Sequence, residues 1–131
     1  MGFSKILIVE DEGIVALDLE QRLNDMNYNV VGIAGNGNEA IKKTEKLRPD
    51  IILMDILIKG DLNGIETAQK IQDLYNIPFI YLTGSLDSTI LERAKTTEPS
   101  GYISKPFDDT EIQNAIQRTI NNHQKEQILK K

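Results

Sequence analysis

Short apolar runs recur along the chain, with enough residues between successive runs to form a helix. Four of the runs are strong and the fifth is weaker. Most are continuous rather than alternating, which is typical of parallel strands that are covered on both faces. We therefore predict five strands, at residues 6–9, 30–34, 51–54, 79–82 and 101–104.

The segments between these runs carry apolar residues three or four positions apart, as amphipathic helices do. The expected helix starts are Asn38 for the second helix and Asp87 or Ser88 for the fourth. Five strands alternating with five helices predict an α/β domain with a parallel sheet and right-handed crossovers. The predicted apolar stripes are Val15, Leu19, Leu23 and Met26; Ala40, Thr44 and Leu47; Ile65, Ala68, Ile71 and Tyr75; Ile90, Leu91 and Ala94; and Ile112, Ala115, Ile116 and Ile120.

Length and composition narrow the class of protein. The chain has 131 residues, 40% of them hydrophobic, which suits one domain. We place that domain at residues 1–123 and interpret the polar residues 124–131 as a helical extension or frayed tail. A net charge of −5 disfavours broad binding to nucleic acid or anionic membranes. The absence of Cys, of a signal peptide and of a membrane-spanning run indicates a cytoplasmic protein that binds other proteins.

Polar residues follow the apolar runs where the predicted strands end. Glu10, Asp11 and Glu12 follow the first run, and Asp55 ends the third. The dipeptides 83–84 (Thr-Gly) and 105–106 (Lys-Pro) follow the fourth and fifth runs. Because the carboxyl ends of parallel strands share one edge of the sheet, these groups should lie together there.

Carboxylates at one edge need a nearby cation. Two unit charges about 4 Å apart interact by roughly 4 kcal/mol at an effective dielectric near 20. Lys105 supplies one positive charge, and paired Asp side chains with carbonyls and water suit Mg²⁺. Asp55 would then be ionised and able to attack phosphorus. The metal, the Lys105 ammonium group and the Thr83 hydroxyl could each contact one phosphoryl oxygen, and Gly84 would leave space for entry.

Four segments together resemble the receiver domains of two-component response regulators. The resemblance extends from Lys5 to about Ile120, and it implies a flavodoxin-like, doubly wound sheet of order 2-1-3-4-5. The segments, in the order the family has them, are 6–12 (ILIVEDE), 53–56 (LMDI), 81–84 (YLTG) and 102–107 (YISKPF).

The resemblance also implies roles for the residues around the acceptor. Asp55 is similar to the family's phospho-acceptor, and Asp11 and Asp55 to its direct Mg²⁺ ligands. The Leu57 backbone carbonyl corresponds to a further ligand, and Glu10 to a ligand through water. Lys105 resembles the lysine that pairs with the phosphoryl group.

A conformational switch is implied as well. Thr83 and Tyr102 resemble the pair in which a hydroxyl moves toward the phosphoryl group and an aromatic ring fills the space it leaves. The Lys105–Pro106 bond is expected to be cis. Residues 57–64 depart from the common family form, because this loop is one residue longer and lacks the usual proline. That departure leaves the path of the loop open and suggests that it is mobile.

The resemblance predicts a stand-alone signalling switch rather than an enzyme. A sensor histidine kinase would donate the phosphoryl group, because the chain's only histidine, His123, lies in the polar tail. Phosphorylation would change the surface formed by the last two helices and the fifth strand, and so the binding of a downstream protein or of a second copy as a homodimer. The alternative is a phosphorelay intermediate that passes the phosphoryl group to a histidine phosphotransfer protein.

Other functions fit the same architecture less well. A phosphohydrolase with an aspartyl nucleophile would need a second acid where Leu57 stands. A flavin or nucleotide domain would need a phosphate-binding loop where Glu10 to Glu12 are acidic. The segment 61–64 is only faintly similar to a calcium loop, since Lys59 occupies a position that requires an acid.

Each signal taken alone also has a structural interpretation. The acids at 10–12 could begin a helix, and Asp55 could cap one. The 83–84 dipeptide could be a turn, Lys105 a surface lysine, and Tyr102 a core aromatic. Their joint order along the chain favours the receiver site.

Overall fold

Five strands and five helices alternate along the part of the chain that the structure describes. This computed structural model describes residues 5–84 and 88–129, with side chains described up to residue 123. The elements are β1 (Lys5–Val9), α1 (Gly13–Asp25), β2 (Asn29–Ala34), α2 (Gly37–Leu47), β3 (Ile51–Asp55), α3 (Gly64–Tyr75), β4 (Phe79–Thr83), α4 (Ser88–Lys95), β5 (Gly101–Ser104) and α5 (Asp109–Leu129).

All neighbouring strands of the sheet are parallel, in the order β2-β1-β3-β4-β5. The predicted fold class and strand order are therefore confirmed. The chain changes direction across the sheet at β1 and β3, where strand order reverses, and the crevice outside such a reversal is where open α/β sheets bind ligands.

The sheet is buried on both faces, which explains the continuous apolar runs. Alternate residues of one strand enter different clusters: Leu7 and Val9 pack with α2, α3 and α4, whereas Ile6 and Ile8 pack with α1 and α5. Every residue of β3 is buried, including the terminal Asp55. The central, buried strand β3 thus ends in a carboxylate at the edge of the sheet.

The helix starts differ in one detail from the prediction. The N-cap of α2 is Asn36, not Asn38, because the Asn36 side chain accepts a hydrogen bond from the Glu39 N–H at 2.9 Å. Glu39 in turn accepts a hydrogen bond from the Gly35 N–H at 2.7 Å. Asn38 is already inside the helix. Helix α4 begins at Ser88, and the other candidate, Asp87, lies outside the described residues.

Helix α5 continues through the polar end of the chain. Its backbone is helical from Asp109 to Leu129, so the described part of segment 124–131 is helix, while the proposed domain boundary at 123 stays a prediction. None of the helices among the described residues combines the length and the apolar composition needed to cross a bilayer.

The loop between β3 and α3 is anchored at both ends. Near its start, the Lys59 N–H donates to Asp11 Oδ2 at 3.3 Å. Gly60 follows with φ of 118°, a conformation that favours glycine. At its end, Asn63 and Glu66 form a capping box at the start of α3. The Gly64 N–H donates to the Ile56 carbonyl at 2.9 Å, which closes the loop.

The closure at Gly64 leads to a stability prediction. A Cβ added there would overlap the Asp55 carbonyl oxygen and lie 2.7 Å from Ile56 Cα. We expect Gly64→Ala to lower the free energy of unfolding by about 1–3 kcal/mol, measured by urea denaturation. The control is Gly13→Ala, where a Cβ would meet nothing within 4 Å. Equal urea midpoints for wild type and Gly64→Ala would show that the junction is not tightly packed.

The middle of the same loop is expected to be mobile. The amides of Gly60, Asp61 and Leu62 make no hydrogen bond to any described residue. Their hydrogen exchange, followed by NMR, should be on the order of 100-fold or more faster than exchange of the β3 amides. Protection equal to that of β3 would contradict loop mobility.

Candidate functional site at the carboxyl end of the sheet

Three carboxylates meet where β1 and β3 end. Glu10, Asp11 and Asp55 each offer one carboxylate oxygen, and these oxygens all lie within 4.8 Å of one another. Glu10 and Asp55 are buried, with 2% and 7% of their surface exposed, whereas Asp11 is half-buried. Residues far apart in sequence are thus brought together as predicted, because parallel strands deliver them to one edge.

Lys105 bridges two of these carboxylates. Its Nζ lies 2.8 Å from Glu10 Oε1 and 3.3 Å from Asp55 Oδ2. The backbone holds it in place, since the Lys105 N–H donates to the Thr83 carbonyl at 2.7 Å and the Lys105–Pro106 bond is cis, as predicted. One ammonium group therefore forms ion pairs with two carboxylates.

The pKa values in this cluster reflect burial and crowding of charge. Burial raises the pKa of Glu10, and the hydrogen bonds from Lys105 and from the Glu12 N–H offset only part of that shift. For Lys105, burial lowers the pKa, but the hydrogen bond to Glu10 and the charge of Asp55 outweigh it, so the net pKa is raised. The lysine is therefore firmly protonated while negative charge around it remains in excess.

Backbone N–H groups orient the carboxylates. Leu57 donates to Asp55 Oδ1 at 3.1 Å, Lys59 donates to Asp11 Oδ2 at 3.3 Å, and Glu12 donates to Glu10 Oε2 at 3.0 Å. Both Glu10 oxygens therefore already have partners within the chain. The second oxygen of Asp11 has no hydrogen bond to a described residue, so that oxygen is open to a ligand.

The donor set fits a small hard cation. Carboxylate oxygens are ligands that Mg²⁺ accepts, and Mg²⁺ usually keeps several waters. The adjoining cavity, of about 180 Å³, has room for such waters. Leu57, whose carbonyl was predicted as a ligand, lines this cavity, as does Gly84. The charged residues that line the cavity are Asp11, Glu12, Asp55, Lys59 and Lys105.

The predicted switch pair lies beside this cavity. The Thr83 hydroxyl donates to the Ile103 carbonyl at 3.5 Å, and Thr83 and Tyr102 together line a neighbouring cleft of about 430 Å³. The Tyr102 hydroxyl oxygen is buried and makes no hydrogen bond to the residues described. Burial raises the pKa of Tyr102, so its hydroxyl stays neutral at physiological pH. Thr83 and Tyr102 therefore line the same cleft.

A second tyrosine packs against Tyr102 from within the core. The Tyr81 ring packs at a tilt against Tyr102, with centroids 6.1 Å apart, and its hydroxyl is 2.6 Å from Thr97 Oγ1. The Thr97 hydroxyl itself donates to the Ala94 carbonyl at 2.6 Å, so Tyr81 is the donor to Thr97. Burial raises the pKa of Tyr81 to about 12. Tyr81 was expected only to be part of β4.

Lys59 is the residue of the site that sequence reasoning missed. It was expected only as part of the variant loop 57–64 and as a mismatch to a calcium loop, yet it lines the same cavity as Lys105. The signal for it in the sequence is the excess of acids over lysines among the strand-end residues. His123 lies at the opposite end of the sheet, where it lines a cleft with Phe79 and Ser100. Ser85, which directly follows Gly84 in the chain, lies outside the described residues.

Comparisons with known protein sequences identify relatives over most of the chain. The family model described as "Response regulator receiver domain" matches residues 6–117. The transcriptional regulatory protein PdtaR of Mycobacterium tuberculosis (strain H37Rv) is 32% identical over 116 residues, which cover 88% of this chain and 56% of PdtaR. The phyllosphere-induced regulator PhyR of Methylorubrum extorquens is 30% identical over 118 residues, covering 89% of this chain and 43% of PhyR. The chain thus spans about half the length of these curated relatives.

Solved structures give the same relationship. The signal receiver domain of a modulated diguanylate cyclase from Desulfovibrio desulfuricans G20 is 38% identical, with a TM-score of 0.89, and the match covers 93% of this chain and 97% of that one. A CheY-like receiver domain protein from Methanospirillum hungatei JF-1 is 26% identical, with a TM-score of 0.85 and coverage of 94% and 98%. By sequence and by fold, this chain belongs to the receiver domain family of the response regulators of two-component signalling.

Proposed function

We propose that this receiver accepts a phosphoryl group on Asp55 in a Mg²⁺-dependent reaction and thereby switches its binding to a partner protein. The observation that carries the proposal is the pairing of the Asp55 carboxylate with the Lys105 ammonium group, 3.3 Å apart, inside a cluster of three carboxylates. Asp55 is a buried acid with the Lys105 ammonium group on one side and a candidate cation site on the other. Positive charge on both sides would stabilise a dianionic phosphoryl group on this residue.

The chemistry is a simple displacement. An Asp55 carboxylate oxygen attacks phosphorus, a new O–P bond forms, and the bond from phosphorus to the donor's nitrogen or oxygen breaks, leaving an acyl phosphate on Asp55. Lys105 would pair with the phosphoryl oxygens, and the Thr83 hydroxyl would reach them by leaving the Ile103 carbonyl. Asp11, Asp55, the Leu57 carbonyl and, through water, Glu10 would hold Mg²⁺, which would supply charge neutralisation.

The proposed role is that of a switch rather than an enzyme acting on an external substrate. Leu57 stands two residues after Asp55, so no acid there can assist hydrolysis, and its side chain is 52% exposed at the cavity. The phosphoryl group should therefore remain long enough to be recognised. Recognition is expected at the cleft lined by Thr83, Leu91, Lys95 and Tyr102, which adjoins the acceptor cavity.

A protein donor is supported by the surface around the cavity. Ile14, at the start of α1 and two residues from the cavity-lining Glu12, is 86% exposed, and Leu17 is 61% exposed. Exposed apolar side chains close to a reactive site are typical of a contact surface. We infer that a sensor histidine kinase docks here to bring its phosphohistidine to Asp55.

Phosphorylation by a small-molecule donor tests the acceptor directly. Incubation with acetyl phosphate and Mg²⁺ should add one phosphate to the wild-type chain, detected by intact-protein mass spectrometry. Asp55→Asn removes the nucleophilic carboxylate and should abolish the addition, and Asp11→Asn should slow it by about tenfold or more because a metal ligand is lost.

Two outcomes would contradict this proposal. Unmodified wild type, or equal labelling of Asp55→Asn, would rule out Asp55 as the acceptor. Rapid transfer of the label to a histidine of another protein would instead identify the chain as a relay intermediate. The exposed-surface variant Leu74→Ser, in the last turn of α3, is a control for general effects of substitution.

Kinase docking can be tested separately from the chemistry. After phosphotransfer profiling has identified a donor kinase, Ile14→Ser should slow transfer from that kinase by about tenfold, as loss of a central apolar contact does. The rate with acetyl phosphate should be unchanged, because Ile14 is not part of the cavity lining. Leu74→Ser makes a similar change at another exposed apolar side chain, 63% exposed, and this variant should be phosphorylated by the kinase at the wild-type rate. Equal kinase rates for all three proteins would place the docking surface elsewhere.

A further inference from the structure

The charges around the acceptor cavity do not balance with Lys105 alone. Four carboxylates, those of Glu10, Asp11, Glu12 and Asp55, belong to the cavity or its buried wall. The Lys105 ammonium group is already shared between Glu10 and Asp55. Neither Asp11 nor Glu12 has an ion pair within 4.0 Å among the described residues, so part of the negative charge has no close partner in the chain.

Lys59 is held where it can act on that charge. Its N–H donates to Asp11 Oδ2 at 3.3 Å, and the residue lines the cavity while its side chain is exposed. The preceding Ile58 is only 4% exposed, which anchors the chain in the core, and the following Gly60 turns the chain away with φ of 118°. The backbone of Lys59 is thereby fixed at the cavity, while the flexible stem leaves its ammonium group free to move.

We propose that Lys59 is the second cation of the acceptor cavity, one that weakens Mg²⁺ binding in the free protein and strengthens binding of the anionic phosphoryl group. Only the effect on the phosphoryl group rests on the proposed phosphorylation of Asp55; the effect on Mg²⁺ binding does not. In the free protein the ammonium group and Mg²⁺ compete for the same negative field, so each disfavours the other. Once Mg²⁺ and a phosphoryl group are both present, added negative charge favours the ammonium group's return to the cavity.

The position suits a mobile cation better than a fixed one. Lys105 is half-buried, paired at 2.8 Å with Glu10, and cannot respond to ligands without breaking that pair. Lys59 has no such pair among the described residues and can approach or leave at little cost.

The test uses two ligands of opposite charge. Mg²⁺ alone, and beryllium fluoride with saturating Mg²⁺, are titrated into the full chain and followed by amide chemical shifts in NMR spectra. For Lys59→Met we expect the dissociation constant for Mg²⁺ to fall about threefold to tenfold and that for beryllium fluoride to rise by a similar factor. Both changes should shrink at high salt, because the group is exposed.

Two further variants separate this local role from a general one. Lys59→Arg keeps the charge and should restore both constants to within about twofold of wild type. Lys46→Met, an exposed lysine in the last turn of α2, makes the same change in net charge and should alter neither constant. The backbone N–H to Asp11 survives in all variants, so a loss of the loop tether cannot produce the effect.

Opposite shifts for the cation and the anion are the signature of a charge at the cavity. Unchanged constants in Lys59→Met, or shifts in the same direction for both ligands, would overturn the inference. If wild type bound no beryllium fluoride, the proposed phosphorylation would fail, while the Mg²⁺ titration would still decide whether Lys59 acts on the metal site. The two proposals therefore fail in distinguishable ways.

Discussion

Mutual repulsion among carboxylates at the edge of a buried sheet is the constraint on which this site depends. Glu10 and Asp55 are taken from water by the same burial that covers β1 and β3, and Asp11 follows directly. Ionised acids so close together are unfavourable unless cations and N–H donors offset them. Lys105 offsets Glu10 Oε1 and Asp55 Oδ2, and three backbone N–H groups donate to the remaining oxygens of these two acids and to one oxygen of Asp11.

The fold could be predicted because the burial of each position determines whether that position is apolar or polar in the sequence. A strand covered on both faces must be apolar at every position, so 51–54 appears as an unbroken run and Asp55 as a conspicuous exception. Helices with one buried face repeat every three or four residues, as Ile65, Ala68 and Ile71 do in α3. The parallel order then delivers the strand ends to one edge without any further information.

Details that depend on contacts between distant residues could not be predicted. The N-cap of α2 is different, because the sequence does contain a signal for it: Glu39 stands three residues after Asn36, as in a capping box, and the Glu39 N–H donates to the Asn36 side chain. Lys59 enters the site because its loop is tied to Asp11, 48 residues earlier. The spacing of residues in the sequence does not reveal a hydrogen bond between such distant positions. The residues at the strand ends could therefore be predicted, whereas the contribution of the loop could not.

The same division separates what is rigid in the site from what can respond. Asp55 ends a strand whose neighbouring residues are buried, and it pairs at 3.3 Å with Lys105, which is half-buried. Lys59 and Thr83 are held less tightly through their side chains, because the Lys59 side chain is exposed without an ion pair among the described residues and the Thr83 hydroxyl makes a long 3.5 Å hydrogen bond. Under the proposed phosphorylation of Asp55, a packed acceptor beside weakly held side chains would let a small chemical change alter shape, because only the weakly held groups would need to move. The carboxylates would then set where charge is added, and Lys59 and Thr83 how the neighbouring surface responds.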